Sequence, residues 1–407
     1  MKRPAVFLFL FTSVWLLGNS QAEASTIRVP ADYPTIQAAI NASADADTIL
    51  VSKGTYRENI KFAGKNITLQ SESGPQDTIL DGNSANSVVT LENGEITATI
   101  QGFTIQNGSS IYGSGYGGGI TLIRSSATII GNIVQNNQSE YWGGGIAVVS
   151  APACRIANNT ISNNKAKNEG GGILSYFSSP VIEDNTITNN SGVSYGAGLE
   201  IGGDSNAVLR RNVISGNAAT LYGGGLLLWS AGSAIIEDNT ITGNTAMSLG
   251  GGIAMVNFNY TTVISTNLIT HNSASVGGGI SWSNPPDTIE GNTIADNTSG
   301  SASGLYASGF VGDPKVVNNI IVGNSGSSAV KCDYLGVSPA GSVFRFNNVF
   351  GSGAPLWAGE CPDPAGANGN ISADPLFRNE ETGDYRLSPH SPSIDAGDNS
   401  ASFFPMD

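Results

Sequence analysis

Three dipeptides carry the residue types that chemistry would need: Glu183-Asp184, Arg210-Arg211 and Glu237-Asp238. They recur 27 residues apart, each directly before an asparagine, at Asn185, Asn212 and Asn239. In a chain that repeats at this spacing, carboxylate, guanidinium and carboxylate stack side by side at the strand separation of about 4.8 Å. Such a stack permits two readings. One is a charge-complementary ladder that stabilises the fold. The other is the site of a polysaccharide lyase or epimerase acting on uronates. There a cation neutralises the uronate carboxylate, a base removes the C5 proton, and the leaving oxygen departs by β-elimination. Arg210 or Arg211 would be the base, with Asp184 and Asp238 as oxygen ligands of Ca²⁺. Flanking carboxylates raise an arginine's pKa, which opposes a base role unless Ca²⁺ claims them. A glycosidase using Glu183 and Glu237 is a lesser variant, since two coils separate backbones by about 9.6 Å, near the inverting distance.

A second set of residues could hold a sugar polymer. Tyr116, Trp142, Tyr195 and Tyr222 each stand just before a glycine block, where other copies have Glu169, Leu249, Val276 and Ser303. Tyr176 and Trp229 add two aromatics at an outward position of the next strand. The six rings form either a sugar-stacking strip or a set of rings that stack on one another over a turn.

The elements that must position these groups follow from the repeat. Gly-Gly-Gly-(Ile/Leu), or a close variant, begins at Gly117, Gly143, Gly170, Gly196, Gly223, Gly250 and Gly277, with a worn copy at Ala302-Ser303-Gly304-Leu305. Between copies runs Ile-x-x-Asn-x-(Thr/Val/Leu/Ile)-Ile-x-x-x-Asn. A fixed period of this size means a solenoid. Apolar residues alternate over short stretches, too short and not 3.6-periodic enough for helices. The expected fold is all-β: a right-handed, single-stranded parallel β-helix of about eleven coils, with three short strands per coil. Asparagine suits the turns, because it tolerates left-handed geometry and its amide can bond the next asparagine in the stack. The glycines suit a corner with positive φ or no room for a Cβ.

Residues 1–24 read as a secretory signal cleaved after Ala24, with Lys2 and Arg3 before an apolar run. Residues 25–47 are expected to cap the first coil, with Ile36, Ala39 and Ile40 at helical spacing after Pro34. Residues 48–324 form the β-helix. Residues 325–407 form irregular last coils and a C-terminal cap. Of 18 basic and 32 acidic residues, the signal contains Lys2, Arg3 and Glu23, leaving 16 against 31. That balance disfavours nucleic acid as a partner. No segment beyond the signal is apolar enough to span a membrane. Cys332 and Cys361, about one coil apart, could pair across neighbouring coils of an exported protein. Cys154 reads as a small buried residue, and the two histidines, His271 and His390, lie too far apart in sequence for a zinc or Ser-His constellation.

Three segments resemble the pectin-lyase-like superfamily of right-handed β-helices. They are the N-terminal stretch, with Pro34-Thr-Ile-Gln-Ala-Ala-Ile, Asp47-Thr-Ile-Leu-Val and Gly54-Thr-Tyr-Arg-Glu-Asn, the repeats themselves, which are similar to polymorphic outer-membrane passengers, and the tail. The tail, Asp374-Pro-Leu-Phe, Gly383-Asp-Tyr-Arg-Leu and Ser391-Pro-Ser-Ile-Asp-Ala-Gly, resembles the closing segment of bacterial surface β-helix proteins. The resemblance implies fold and export. It does not carry an activity: the catalytic segments of pectinesterases and polygalacturonases are missing, as is the Ca²⁺-binding nonapeptide array of toxin-type β-rolls. The sequence therefore leads to a monomeric secreted or cell-surface protein that binds polysaccharide along its solenoid. The alternative is a Ca²⁺-assisted lyase or epimerase.

Overall fold

The structure, a computed structural model, describes residues 24–398 apart from 111–115, 193, 257–261, 284–287, 310–313, 334–342, 352–354 and 362–365. The expected export signal, except for Ala24, lies outside the described residues. So does the segment from residue 399 onward.

One coil shows why the sequence winds. Residues Arg155–Ala157, Thr160–Ser162 and Lys165–Ala166 are strands separated by single bends, and the glycine block then turns the chain into Ile173–Tyr176. Each strand pairs in parallel with its counterpart one repeat later, as Ile161 does with Ile187, and Ile187 with Ile214. Among the described residues three long parallel sheets result, of 13, 12 and 12 strands, close to the eleven coils expected. A fourth sheet of eight strands adds an element beyond the three per coil that the pattern suggested. Its members are mostly two residues long, such as Ala218–Ala219 and Thr245–Ala246, too short to leave an alternating signal.

The inward files are continuous. Ile156, Ile182, Leu209, Ile236 and Ile264 form one, and Ile161, Ile187, Ile214, Ile241 and Ile269 another, all fully buried. Stacking identical aliphatic side chains at coil spacing supplies most of the hydrophobic stabilisation of such a rod. The cap helix covers its first end at Ile36–Ala42, with Ile36, Ala39 and Ile40 buried and Thr35 accepting the Ala38 amide. Glu58 accepts the amides of Ile36 and Gln37, which satisfies two more free donors at that helix start.

The asparagines form two buried ladders. In each rung the backbone N–H and Nδ2 of one asparagine donate to Oδ1 of the next, as from Asn212 to Asn239 at 2.9 Å each. The residues with left-handed backbone are not these asparagines but the ones just before them. Asp184, Arg211 and Asp238 have φ of 56°, 54° and 56°. The ladder asparagines are held by their side-chain bonds, whereas the preceding position needs the positive φ.

At the other end Cys332 and Cys361 form a disulfide. The chain then doubles back. The hairpin Phe377–Asn379 and Asp384–Leu387 packs on the flank, where Tyr385 meets Ala295 and Val322 and donates its hydroxyl to Asp296 at 2.5 Å. No helix among the described residues is long and apolar enough to cross a membrane.

Candidate functional site

The charge stack forms, but in a pattern that serves the fold. Glu183 ends a strand of the 13-stranded sheet and is 4 % exposed. Its Oε1 accepts from Arg155, with Nη2 at 2.6 Å and Nε at 2.7 Å. Its Oε2 accepts from Nε of Arg210 at 2.8 Å and Nη2 of Arg211 at 3.1 Å. Arg211 also grips both oxygens of Asp184, each at 2.8 Å. Arg155 was not part of the cluster read from the sequence. It lies two positions earlier in its strand than Glu183 does, so a same-column comparison misses the diagonal contact.

These pairings work against each catalytic role. The hydrogen bonds that Arg211 donates to the Asp184 and Glu183 carboxylates push its guanidinium pKa further up, the wrong direction for a base. Burial alone would raise Glu183, but Arg210 and Arg155 outweigh it and hold the carboxyl below its usual range, the opposite of what a general acid needs. Asp184 is likewise lowered, chiefly by its bond to Arg211. Asp238 lies two coils from Asp184, with Arg211 in the column between, so the two do not converge on one cation. No group of three or more potential metal ligands exists among the described residues. Glu237 is in register with Arg210 but joins none of the ion pairs among the described residues. The stack is a set of ion pairs around one buried carboxylate.

A pH dependence follows. Glu183 and Asp184 have folded-state pKa values below the unfolded ones, near 4.3 and 3.9. Their contribution is full above those unfolded values and is lost as pH falls through the lower folded ones. Glu183→Gln is expected to cost about 1–2 kcal/mol at pH 7, because the guanidinium groups remain half in water. The deficit should shrink below about pH 4. Thermal melts of both proteins at neutral and acid pH check this, and a pH-independent difference would contradict it.

The aromatic residues come together as two clusters on one face. In the first, Trp142 stacks on Tyr116 at 5.0 Å and on Tyr176 at 6.0 Å between ring centres. In the second, Tyr195 meets Tyr222 at 5.5 Å and Trp229 at 5.4 Å, and Tyr222 stacks on Trp229 at 6.4 Å. The rings therefore do pack on one another, yet all six remain half-exposed. The backbone explains how. Tyr176, Gly202 and Trp229 are successive partners in the 12-stranded sheet that follows the glycine blocks, and a side chain on Gly202 would strike the Tyr176 ring at 2.6 Å. Glycine at that one position lets the tyrosine lie flat across the next coil.

Between the clusters sits a pair that sequence reading passed over. Glu169 occupies the aromatic file itself, bridged to Trp142 on one side and Tyr195 on the other. Glu200, 2 % exposed, occupies an outward position whose neighbours in register are Leu174 and Leu227. Burial, and then the charge of Glu169, push the Glu200 carboxyl well up, and burial raises Glu169 as well. The available signal was a lone glutamate in a column whose two nearest members on either side are Ala147, Leu174, Leu227 and Ala254. Cys154 is buried, and desolvation pushes its thiol up to about 12, so it is no nucleophile.

The chain matches the family model for a right-handed β-helix region over residues 65–241 and 197–361. Among solved structures it is similar to a mannuronic acid specific polysaccharide family 6 lyase from human gut microbiota. The identity is 12 %, covering 92 % of this chain and 95 % of that one, at a TM-score of 0.38. It is also similar to the A-module of a mannuronan C-5 epimerase from Azotobacter vinelandii, at 15 % identity over 84 % of this chain and 94 % of that one, with a TM-score of 0.32. No curated protein sequence matches significantly.

Proposed function

Since the chain belongs to the right-handed β-helix family, we propose that it is an exported protein that binds polysaccharide along one face of the solenoid. The observation that carries this reading is the half-exposed aromatic face made by Tyr116, Trp142, Tyr176, Tyr195, Tyr222 and Trp229. Mutual stacking fixes the rings at little further entropy cost, so the platform is organised before a ligand arrives. A file of rings repeating at coil spacing suits a ligand that itself repeats. Tyrosine and tryptophan offer an apolar surface with a polar tip, the combination that a sugar ring meets on its face and its edge. Export agrees with the signal-like opening of the sequence and with the Cys332–Cys361 disulfide, which belongs to an oxidising compartment.

Retardation of the purified chain in gels containing a panel of neutral, acidic and amine-bearing polysaccharides tests the proposal. At least one polysaccharide should slow the protein, and Tyr222→Ala/Trp229→Ala should weaken binding by about 10- to 100-fold, the cost of losing two central aromatic anchors. Retention of full affinity in that variant would overturn the reading. Production of unsaturated uronate, lost in Arg210→Ala/Arg211→Ala, would replace it with a lyase.

A further inference from the structure

The interruption of the aromatic face has a chemistry of its own. Glu169 and Glu200 are two carboxyl groups set close together in a wall of rings. Glu169 is bridged to Tyr195, and the next residue, Gly196, is the one the Glu200 carboxyl lies against, which sets the two side chains at one corner. Oε2 of Glu200 is buried without a hydrogen-bond partner, and so is Nε1 of Trp142. Oε2 lies 3.1 Å from where a Cβ on Gly196 would stand, so that glycine leaves the carboxyl its space. Neither glutamate joins an ion pair among the described residues, although the nearby Glu140 is paired with Lys167. A buried carboxyl without a basic partner is costly unless it is protonated or meets a cation from outside. The walls are π faces: Trp142 stacked on Tyr176 on one side, Tyr195 against Trp229 on the other.

Carboxylates framed by aromatic faces are suited to an organic ammonium group, which donates hydrogen bonds to the former and is held by cation–π attraction to the latter. A bare divalent ion would need more oxygen ligands than two side chains supply. Building on the reading of the aromatic face as a polysaccharide platform, we propose that Glu169, Glu200, Trp142, Tyr176 and Tyr195 form a subsite for the ammonium group of a free amino sugar. The substrate class is then a glycan with unacetylated amines, such as polyglucosamine, rather than a polyuronate. The excess of acidic over basic residues in the whole chain points the same way. Without ligand the buried Glu200 oxygen has no partner for its charge; an arriving ammonium supplies one, with no covalent step. The tyrosines beside the pair are Tyr195, bridged to Glu169, and Tyr176, near both glutamates. The Tyr176 hydroxyl is raised by burial and then by Glu169, Glu200 and Asp204, so it stays neutral and can only hydrogen-bond.

Isothermal titration of the whole chain with a fully deacetylated glucosamine oligosaccharide and its N-acetylated counterpart tests the subsite. It is run at about pH 6, below the usual amine range. The deacetylated ligand should bind at least 10-fold more tightly. Glu169→Gln, on a half-exposed side chain, and Glu200→Gln, of equal shape, should each abolish that preference while leaving thermal stability equal or higher. Equal binding of the two ligands overturns the proposal. A preference kept by both variants overturns it too, since it then reflects only the net charge of the chain. If neither glucosamine ligand binds but another polysaccharide does, the subsite falls and the platform stands. If no polysaccharide binds, both fall.

Discussion

Gly224→Ala is expected to destabilise the solenoid by on the order of 3 kcal/mol or more. Gly224 is the second glycine of its block and has no positive φ to explain it. Its role is one of space. A Cβ there would press against the carbonyl oxygens of Thr245 and of Gly251 in the next coil, the latter at 2.6 Å. Both obstacles are backbone atoms of the hydrogen-bonded stack, so neither can swing away as a side chain would. The neighbouring coil has to shift, and with it the bonds from Gly224 to Gly250 and from Gly225 to Gly251. Gly131→Ala is the internal control. A Cβ at Gly131 meets nothing within 4 Å, and only its φ of 65° opposes alanine, which costs about 1 kcal/mol. Chemical denaturation of the two variants should therefore differ severalfold in lost stability, and equal losses would show that crowding at the glycine block is not what fixes the sequence.

Asn217→Ala should cost about 2–4 kcal/mol for a different reason. Asn217 is fully buried in the second ladder. Its Oδ1 accepts from the backbone N–H and Nδ2 of Asn190, at 2.9 and 3.1 Å. Its Nδ2 donates to the Ile187 carbonyl at 3.0 Å and to Oδ1 of Asn244 at 2.9 Å. Alanine removes all four bonds and leaves donors and an acceptor stranded where water does not reach, so the penalty is desolvation rather than the modest net value of a hydrogen bond. The effect should be local first, because each coil contacts only its neighbours. Native-state hydrogen exchange reads it directly: the Asn190 amide should lose its protection, while the amide of Asn132, several coils away, keeps it. An Asn190 amide as protected as before would refute the ladder account.

Much of this architecture was legible because it repeats. The inward position of Ile161 and Ile214, the rungs at Asn185 and Asn212, and the glycine corner all recur at one spacing, and a coil that stacks on copies of itself must place equal residues in equal environments. What escaped the sequence lies between columns. The two-residue strands such as Ala218–Ala219 have no room to alternate. Arg155 reaches Glu183 diagonally. The left-handed position belongs to the residue before each asparagine, a one-place offset that composition does not show. The charge stack was found by its columns and then proved to be tied up in its own ion pairs. Glu169 and Glu200 meet across the corner between the glycine block and the next strand, and neither column alone suggests an acid pair. The function of a solenoid sits in such departures from the repeat, and a departure is visible only once the regular coil around it is known.

The aromatic face itself can be followed by its own light. Trp142 and Trp229 stand half-exposed on it, whereas Trp282 is fully buried in the core and Trp357 is 9 % exposed. Tryptophan emission of residues 25–407, recorded while a polysaccharide retained by the protein is titrated in, should shift saturably. Trp142→Phe and Trp229→Phe should each remove part of that shift, and the double variant all of it. The same shift in the double variant, or none in the wild type while polysaccharide is bound, would place binding elsewhere and contradict the account.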